Sequence, residues 1–200
     1  MPETPSFRGF FAAQAAKPLI DAGSANSTPS KTLPKVAFDT PFGTLIVEID
    51  SIASPVTAAN FFRYLDAGAY NNAQFHRTVT PTNQPDNEIR IGVIQGSARA
   101  GSPEYPPIPL ERTTVTGLRH LNGTISMARS TADSATNQFF LCIGDQPELD
   151  FGGRRNPDGQ GFAAFGRLLS GWLVLQQIQS SPASGQSLTP PVSITRARRL

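Results

Sequence analysis

The sequence predicts a β-dominated fold in which eight short strands and two helices form one domain. Three observations carry that reading. Eighteen prolines and seventeen glycines among 200 residues, with 16% charged residues, favour many turns and short strands over long helices. Short apolar runs rich in Val, Ile and Phe recur between those turns, several with the period of two that leaves one sheet face buried. The 38% hydrophobic content suits one core of ordinary size, with chain to spare for an arm but not for a second domain.

Residues 1–34 read as an N-terminal arm. A short helix is expected around residues 10–16, followed by a flexible linker over 21–34, where Gly, Ser, Thr, Asn and Pro predominate. The folded domain is placed at 35–200. Its first strands, 36–38 and 43–49, make a hairpin around Thr40, Pro41 and Phe42, and the second alternates Leu45, Val47 and Ile49 against Thr44 and Glu48. Ser54 is the expected N-cap of a helix with Pro55 in its first turn. Ala58, Phe61, Phe62 and Leu65 form its apolar stripe, and Gly68 lies just past its end. Strands follow at 75–79, 89–95, 123–127, 139–143, 164–168 and 192–198. A second helix over 172–179 offers Leu173, Leu175 and Ile178 to the core. No internal repeat is visible.

A formal net charge of +2 with no long basic run gives no footprint for nucleic acid, and Arg196 and Arg198 read as a solvated sheet edge. Cys142 is the sole cysteine, so neither an intramolecular disulfide nor a cysteine-based metal site can form, and its apolar strand context points to an inert buried thiol. No stretch has the length and apolarity of a membrane span, and the N-terminus lacks the basic start and apolar centre of a secretory signal. A soluble monomer, cytoplasmic or periplasmic, is expected. His76 and His120 have no companion at metal-ligand spacing, and no Gly-x-Ser-x-Gly elbow marks a serine hydrolase. His76 is expected to turn inward as a hydrogen-bonded core histidine. Met127 and Phe139 read as core, and the glycines over 152–161 as turns.

The chemistry concentrates in separated short segments: Phe75-His76-Arg77, Val93-Ile94-Gln95-Gly96, Ser126-Met127-Ala128, Gln138-Phe139-Phe140, Leu149-Asp150 and Ala164-Phe165-Gly166. In this order they resemble the catalytic wall of cyclophilin-type peptidyl-prolyl cis/trans isomerases, with the likeness running over about 36–199 and densest over 126–142. The resemblance implies a closed eight-stranded antiparallel β-barrel capped by two α-helices. It also implies a cofactor-free, metal-free enzyme that acts on X-Pro bonds of proline-containing polypeptides and so assists folding. Arg77 and Gln95 would be catalytic. Val93, Ala128, Arg129, Gln138, Phe140, Leu149 and Phe162 would bind substrate, with Phe140 as the floor of the proline slot.

The chain departs from the family pattern in several places. It inserts residues 81–88 between Arg77 and Gln95, and carries Gly92-Val93 where a Phe-Met pair is usual. Glu148 stands where a tryptophan is common, Phe162 where a histidine is common, and Arg129 where many eukaryotic members have asparagine. The loop over 152–161 is longer than usual. A non-catalytic peptide-binding or chaperone module using the same groove is the alternative, favoured by Gly92 and Glu148 and opposed by the retained Arg77.

Overall fold

The computed structural model describes Met1 and residues 32–200, so the arm helix and most of the linker expected from the sequence lie outside the described residues. Among the described residues there are ten strands: β1 (Lys35–Thr40), β2 (Gly43–Ile49), β3 (Ala73–Val79), β4 (Val93–Ser97), β5 (Thr124–Met127), β6 (Phe139–Cys142), β7 (Ala163–Ser170), β8 (Ala183–Ser184), β9 (Ser187–Ile194) and β10 (Arg196–Arg199). Three α-helices accompany them, α1 (Pro55–Asp66), α2 (Thr113–Thr116) and α3 (Trp172–Gln179), together with a 3-10 turn at Pro147–Leu149. All ladders are antiparallel, in the order β10-β1-β2-β7-β5-β6-β4-β3-β9-β8.

Two counts and one closure expected from the sequence are corrected. The last strand is split at Thr195, whose backbone N–H and hydroxyl both donate to the Asp39 carbonyl. Its first part pairs with β3 and its second with β1, so the hydrogen-bonded sheet is not a closed ring; the chain itself spans from one end to the other. Pro190 and Pro191 hid β9, because prolines lack the N–H that a ladder needs. They fall where the β3–β9 register jumps from Val192 to Ser187, between paired positions. The strand expected at 89–95 begins only at Val93, since Gln84 captures the backbone of the preceding residues.

The core lies between the sheet and α1. Phe38, Phe61, Tyr70 and Phe139 are all fully buried, with Phe38 and Phe139 stacked at 5.2 Å and Phe61 edge-on to Phe139 at 6.1 Å. The expected stripe of α1 is buried throughout. On α3 the buried residues are Val174, Leu175 and Ile178, while Leu173 is 75% exposed: the helix is rotated so that Val174 takes the place expected of Leu173.

The cap of α1 also differs. Ser54 holds the N-cap position but makes no side-chain cap bond. Its hydroxyl donates to Glu111, whose carboxylate then accepts from the N–H groups of Val56 at 3.1 Å and Thr57 at 2.7 Å. A carboxylate distant in sequence thus satisfies the orphan donors and meets the positive end of the helix dipole. Glu111→Ala should destabilise the domain by about 1–2 kcal/mol, the scale of a lost cap, read as a lower urea midpoint with unchanged slope. An unshifted midpoint would show that water substitutes fully for Glu111.

Candidate active site

One irregularity in β3 aims the functional side chain. In a regular strand Phe75 and Arg77 would share a face. Here the register of β3 against both β4 and β9 shifts between Phe75 and Arg77, leaving His76 as the extra residue of a bulge. Phe75 therefore points into the main core, while Arg77 and Val79 turn to the opposite face, beside Gln95 and Val93 of β4. His76 is only half-buried, and its Nδ1 has no hydrogen-bond partner, contrary to the expected core histidine. Burial first, and the charge of Arg77 second, hold its pKa below the ordinary histidine value.

The same alternation operates along β4, β5 and β6. Ile94, Ile125, Met127, Phe139 and Leu141 belong to the main core, whereas Val79, Ile91, Val93, Phe140, Cys142 and Leu149 form a second apolar cluster flanked by Ala128 and Phe162. Burial raises the Cys142 thiol pKa, with Asp150 and Asp145 adding to the shift, so its thiolate is suppressed. A cavity of about 160 Å³ opens above this second cluster. Arg77, Val93, Gln95, Ala128, Arg129, Phe140, Leu149 and Phe162 line it, together with Ile91, Arg155 and Asn156. Gln138 lies outside the lining, exposed, and joins the polar chain that runs outward through Gln95.

Arg77 is held from two sides. Its NH1 donates to Gln95 Oε1 at 2.9 Å, while Nε and NH2 donate to Gln186 Oε1 at 2.9 and 2.5 Å. Gln95 passes the order outward by donating to Gln138 Oε1 at 2.7 Å, and Gln186 is tied to the Asn83 carbonyl at 3.2 Å. Of five guanidinium N–H groups, one on each terminal nitrogen stays unspent. Both partners are neutral amides, so the positive charge of Arg77 is not cancelled. Burial lowers its pKa, but an arginine remains protonated at neutral pH.

Arg129 is committed differently. It forms a bidentate pair with Asp158 at 2.7 and 2.9 Å, donates Nε to the Gly161 carbonyl at 2.7 Å and lies over the Phe162 ring at 5.0 Å. With its amide oxygen turned toward the guanidinium, Asn156 accepts from NH1 and NH2 at 3.1 and 3.2 Å. Arg129 therefore enters the cavity as a braced wall. Glu148 accepts from the Arg154 backbone N–H at 2.8 Å and from its NH2 at 3.1 Å.

Beneath the floor lies a constellation that the sequence concealed. His120 stacks on Phe140 at 5.9 Å and 16°, and Phe162 stands perpendicular to Phe140 at 5.5 Å. The His120 ring nitrogens meet Asp150 Oδ1 at 2.7 Å and Ser126 Oγ at 2.9 Å. Serine, histidine and aspartate in this order suggest a nucleophile and base, although no Gly-x-Ser-x-Gly elbow surrounds the serine. Ser126 and His120 are both buried, however, which leaves no room for a substrate carbonyl near Oγ. The trio instead satisfies polar groups under the floor and fixes the ring against which Phe140 rests.

The family model described as cyclophilin type peptidyl-prolyl cis-trans isomerase/CLD matches residues 35–199. The chain belongs to this family. As a cyclophilin it is 35% identical over 144 residues to peptidyl-prolyl cis-trans isomerase A of Dickeya dadantii, covering 72% of this chain and 70% of that one. It is 30% identical over 153 residues to peptidyl-prolyl cis-trans isomerase B of Escherichia coli, covering 76% and 87%. The crystal structure of a Cryptosporidium parvum cyclophilin type isomerase shares the fold, with a TM-score of 0.68 at 20% identity over 84% of this chain and 98% of that one. Among the described residues no helix of this cyclophilin is long and apolar enough to cross a membrane.

The sequence reading did not single out Ile91, Arg155, Asn156 and Gln186. The first three sit in loops longer than the family norm, where no motif marks them; Gln186 reaches Arg77 only because β8 and β9 turn back beside β3. The brace on Arg129 makes a pH prediction. Hydrogen bonds from Arg129 bring Asp158 down to about 2, below the unfolded value of about 4. A depressed carboxylate contributes stability above its unfolded pKa and loses it as pH falls through the folded one. Asp158→Asn should melt slightly below the wild type at pH about 6, with the difference fading as pH drops from about 4 to about 2. A constant gap over that range, in melts followed by circular dichroism, would contradict the pairing.

Proposed function

We propose that residues 35–200 isomerise X-Pro bonds in proline-containing polypeptides, as a monomer, with Arg77 as the transition-state donor. The carrying observation is the Arg77 guanidinium, held by two neutral glutamines with unspent N–H groups over an apolar slot. Rotation about a prolyl amide breaks conjugation, a barrier of roughly 18–20 kcal/mol that leaves the uncatalysed reaction taking tens to hundreds of seconds. As conjugation fails, the prolyl nitrogen gains a lone pair that it lacks in the planar amide. A fixed N–H aimed there binds the twisted state better than either planar one, which is what lowers a barrier. Raising a rate from about 0.01 to about 100 per second requires roughly 5–6 kcal/mol, four decades at about 1.4 each.

In this reading Phe140 is the floor on which the pyrrolidine ring rests, with Val93, Ala128, Leu149 and Phe162 as walls. Gln95 orients Arg77 on one side and, with Gln138, presents amides to the substrate backbone. Gln186 orients Arg77 on the other side. A passive peptide-binding module would have no use for a guanidinium held on both flanks, so that alternative is not favoured.

Arg77→Ala should lower kcat/KM by about 2–3 decades, the scale of losing one preorganised donor, in a protease-coupled assay on a proline peptide; unchanged activity in a folded variant would defeat the reading. Gln186→Leu should lower kcat by about tenfold through misplacement of Arg77, with a smaller change in KM. A chain beginning at Lys35 should keep full turnover. Loss of folding or activity there would place the arm within the catalytic domain.

A further inference from the structure

The cavity holds more positive charge than its neighbours cancel. Three arginines line it. Asp158 neutralises Arg129, and the adjacent Arg154 outside the lining is paired with Glu148. Arg77 meets only glutamine oxygens. Arg155 donates NH1 to the Ile89 carbonyl at 2.5 Å, and among the described residues neither Arg77 nor Arg155 forms an ion pair with a carboxylate. The two cations feel each other: burial first, and the charge of Arg77 second, lower the pKa of Arg155. Holding two like charges in one partly buried cavity is unfavourable until an anion arrives between them.

The position of Arg155 is built. Its own N–H donates to the Glu148 carbonyl at 3.1 Å, and Gly152 N–H donates to the Gly159 carbonyl at 2.8 Å, closing the loop on itself. A Cβ on Gly153 would stand 2.4 Å from the Glu148 carbonyl oxygen, so this close return of the chain requires glycine there. Through Ile89 the guanidinium also clamps this loop to the β3–β4 connection that contains the insertion, whose Ile91 lines the same cavity and is itself fixed by buried Gln84.

Resting on the isomerase reading above, we propose that this cavity selects X-Pro segments bearing an anionic side chain, carboxylate or phosphate, next to the proline, and that Arg155 is the residue that selects them. The apolar slot takes the ring, Arg77 serves the turning bond, and Arg155 supplies the second, uncancelled cation for the flanking anion. Arginine suits either anion, since its planar fork matches both bidentately.

The test uses the full chain and exchange-spectroscopy NMR, which needs no coupling protease. Two peptide series carry alanine, glutamate or phosphoserine, one immediately before the proline and one immediately after it. In at least one series an anionic peptide should show kcat/KM on the order of tenfold above alanine at low salt, the scale of a partly buried charge pair. Raising salt to about 0.5 M should shrink that ratio by screening. Arg155→Gln should bring it toward one whatever happens to the alanine rate, and Arg155→Lys should retain part of it. A gain with glutamate identifies a carboxylate as sufficient; a gain with phosphoserine alone assigns the pocket to phosphorylated segments. Turnover of alanine peptides with ratios near one in both series overturns the proposal while leaving the isomerase reading intact, as does a preference that survives Arg155→Gln. Absence of turnover on every peptide defeats the isomerase reading and this one with it.

Discussion

One extra residue in β3 decides the chemistry of this molecule. Strand periodicity would send Arg77 into the main core beside Phe75, where an unpaired guanidinium would cost several kcal/mol. The bulge at His76 absorbs one residue, and everything after it changes face. Arg77 then stands beside Gln95 and within reach of Gln186, and Val79 joins the outer apolar cluster instead of the inner core. The cost is visible at His76, whose Nδ1 finds no partner. A backbone irregularity and an unsatisfied buried nitrogen mark the place where folding alone would have chosen a regular strand.

The outer cluster is a second small core laid on the outside of the sheet, and it needs its own support. Phe140 rests on His120, which Asp150 and Ser126 hold from both ends, and Phe162 closes the other side under the guanidinium of Arg129. A flat ring clamped by two hydrogen bonds gives the floor one orientation, which a purely aliphatic layer would not do. Shape at the slot is thus fixed by polar groups that never touch it.

The loops carry the difference between this cyclophilin and a minimal one. Gln84 folds the inserted loop by capturing both the N–H and the carbonyl of Ile91, and Arg155 fastens that loop to the one after Leu149. Gly92 cannot be enlarged, because a Cβ there would lie 2.8 Å from the Ile143 carbonyl oxygen; the missing aromatic of the family pattern is excluded by that close backbone approach. Specificity on a rigid sheet is commonly placed in such connections.

The sequence by itself determined the elements whose cause is local. Alternation over residues 43–49 and the stripe of α1 are buried as read, because a period of two or of 3.6 needs nothing from distant chain to choose a face. The residues lining the cavity were legible by another route: Val93, Gln95, Ala128, Phe140 and Leu149 stand in the short motifs that carry the family resemblance, and periodicity alone would not have grouped them. Only the tertiary structure decided what depends on contact between remote segments. Glu111 caps a helix more than fifty residues upstream, Gln186 steadies Arg77 from the far end of the chain, and Arg155 enters the cavity by way of a loop with no motif. The break at Thr195, which splits one strand between β1 and β3, is equally invisible, since both halves have strand-like sequence and the choice of partner belongs to the sheet. Local periodicity selects a face, but pairing across the sheet selects a neighbour, and the site is made of neighbours.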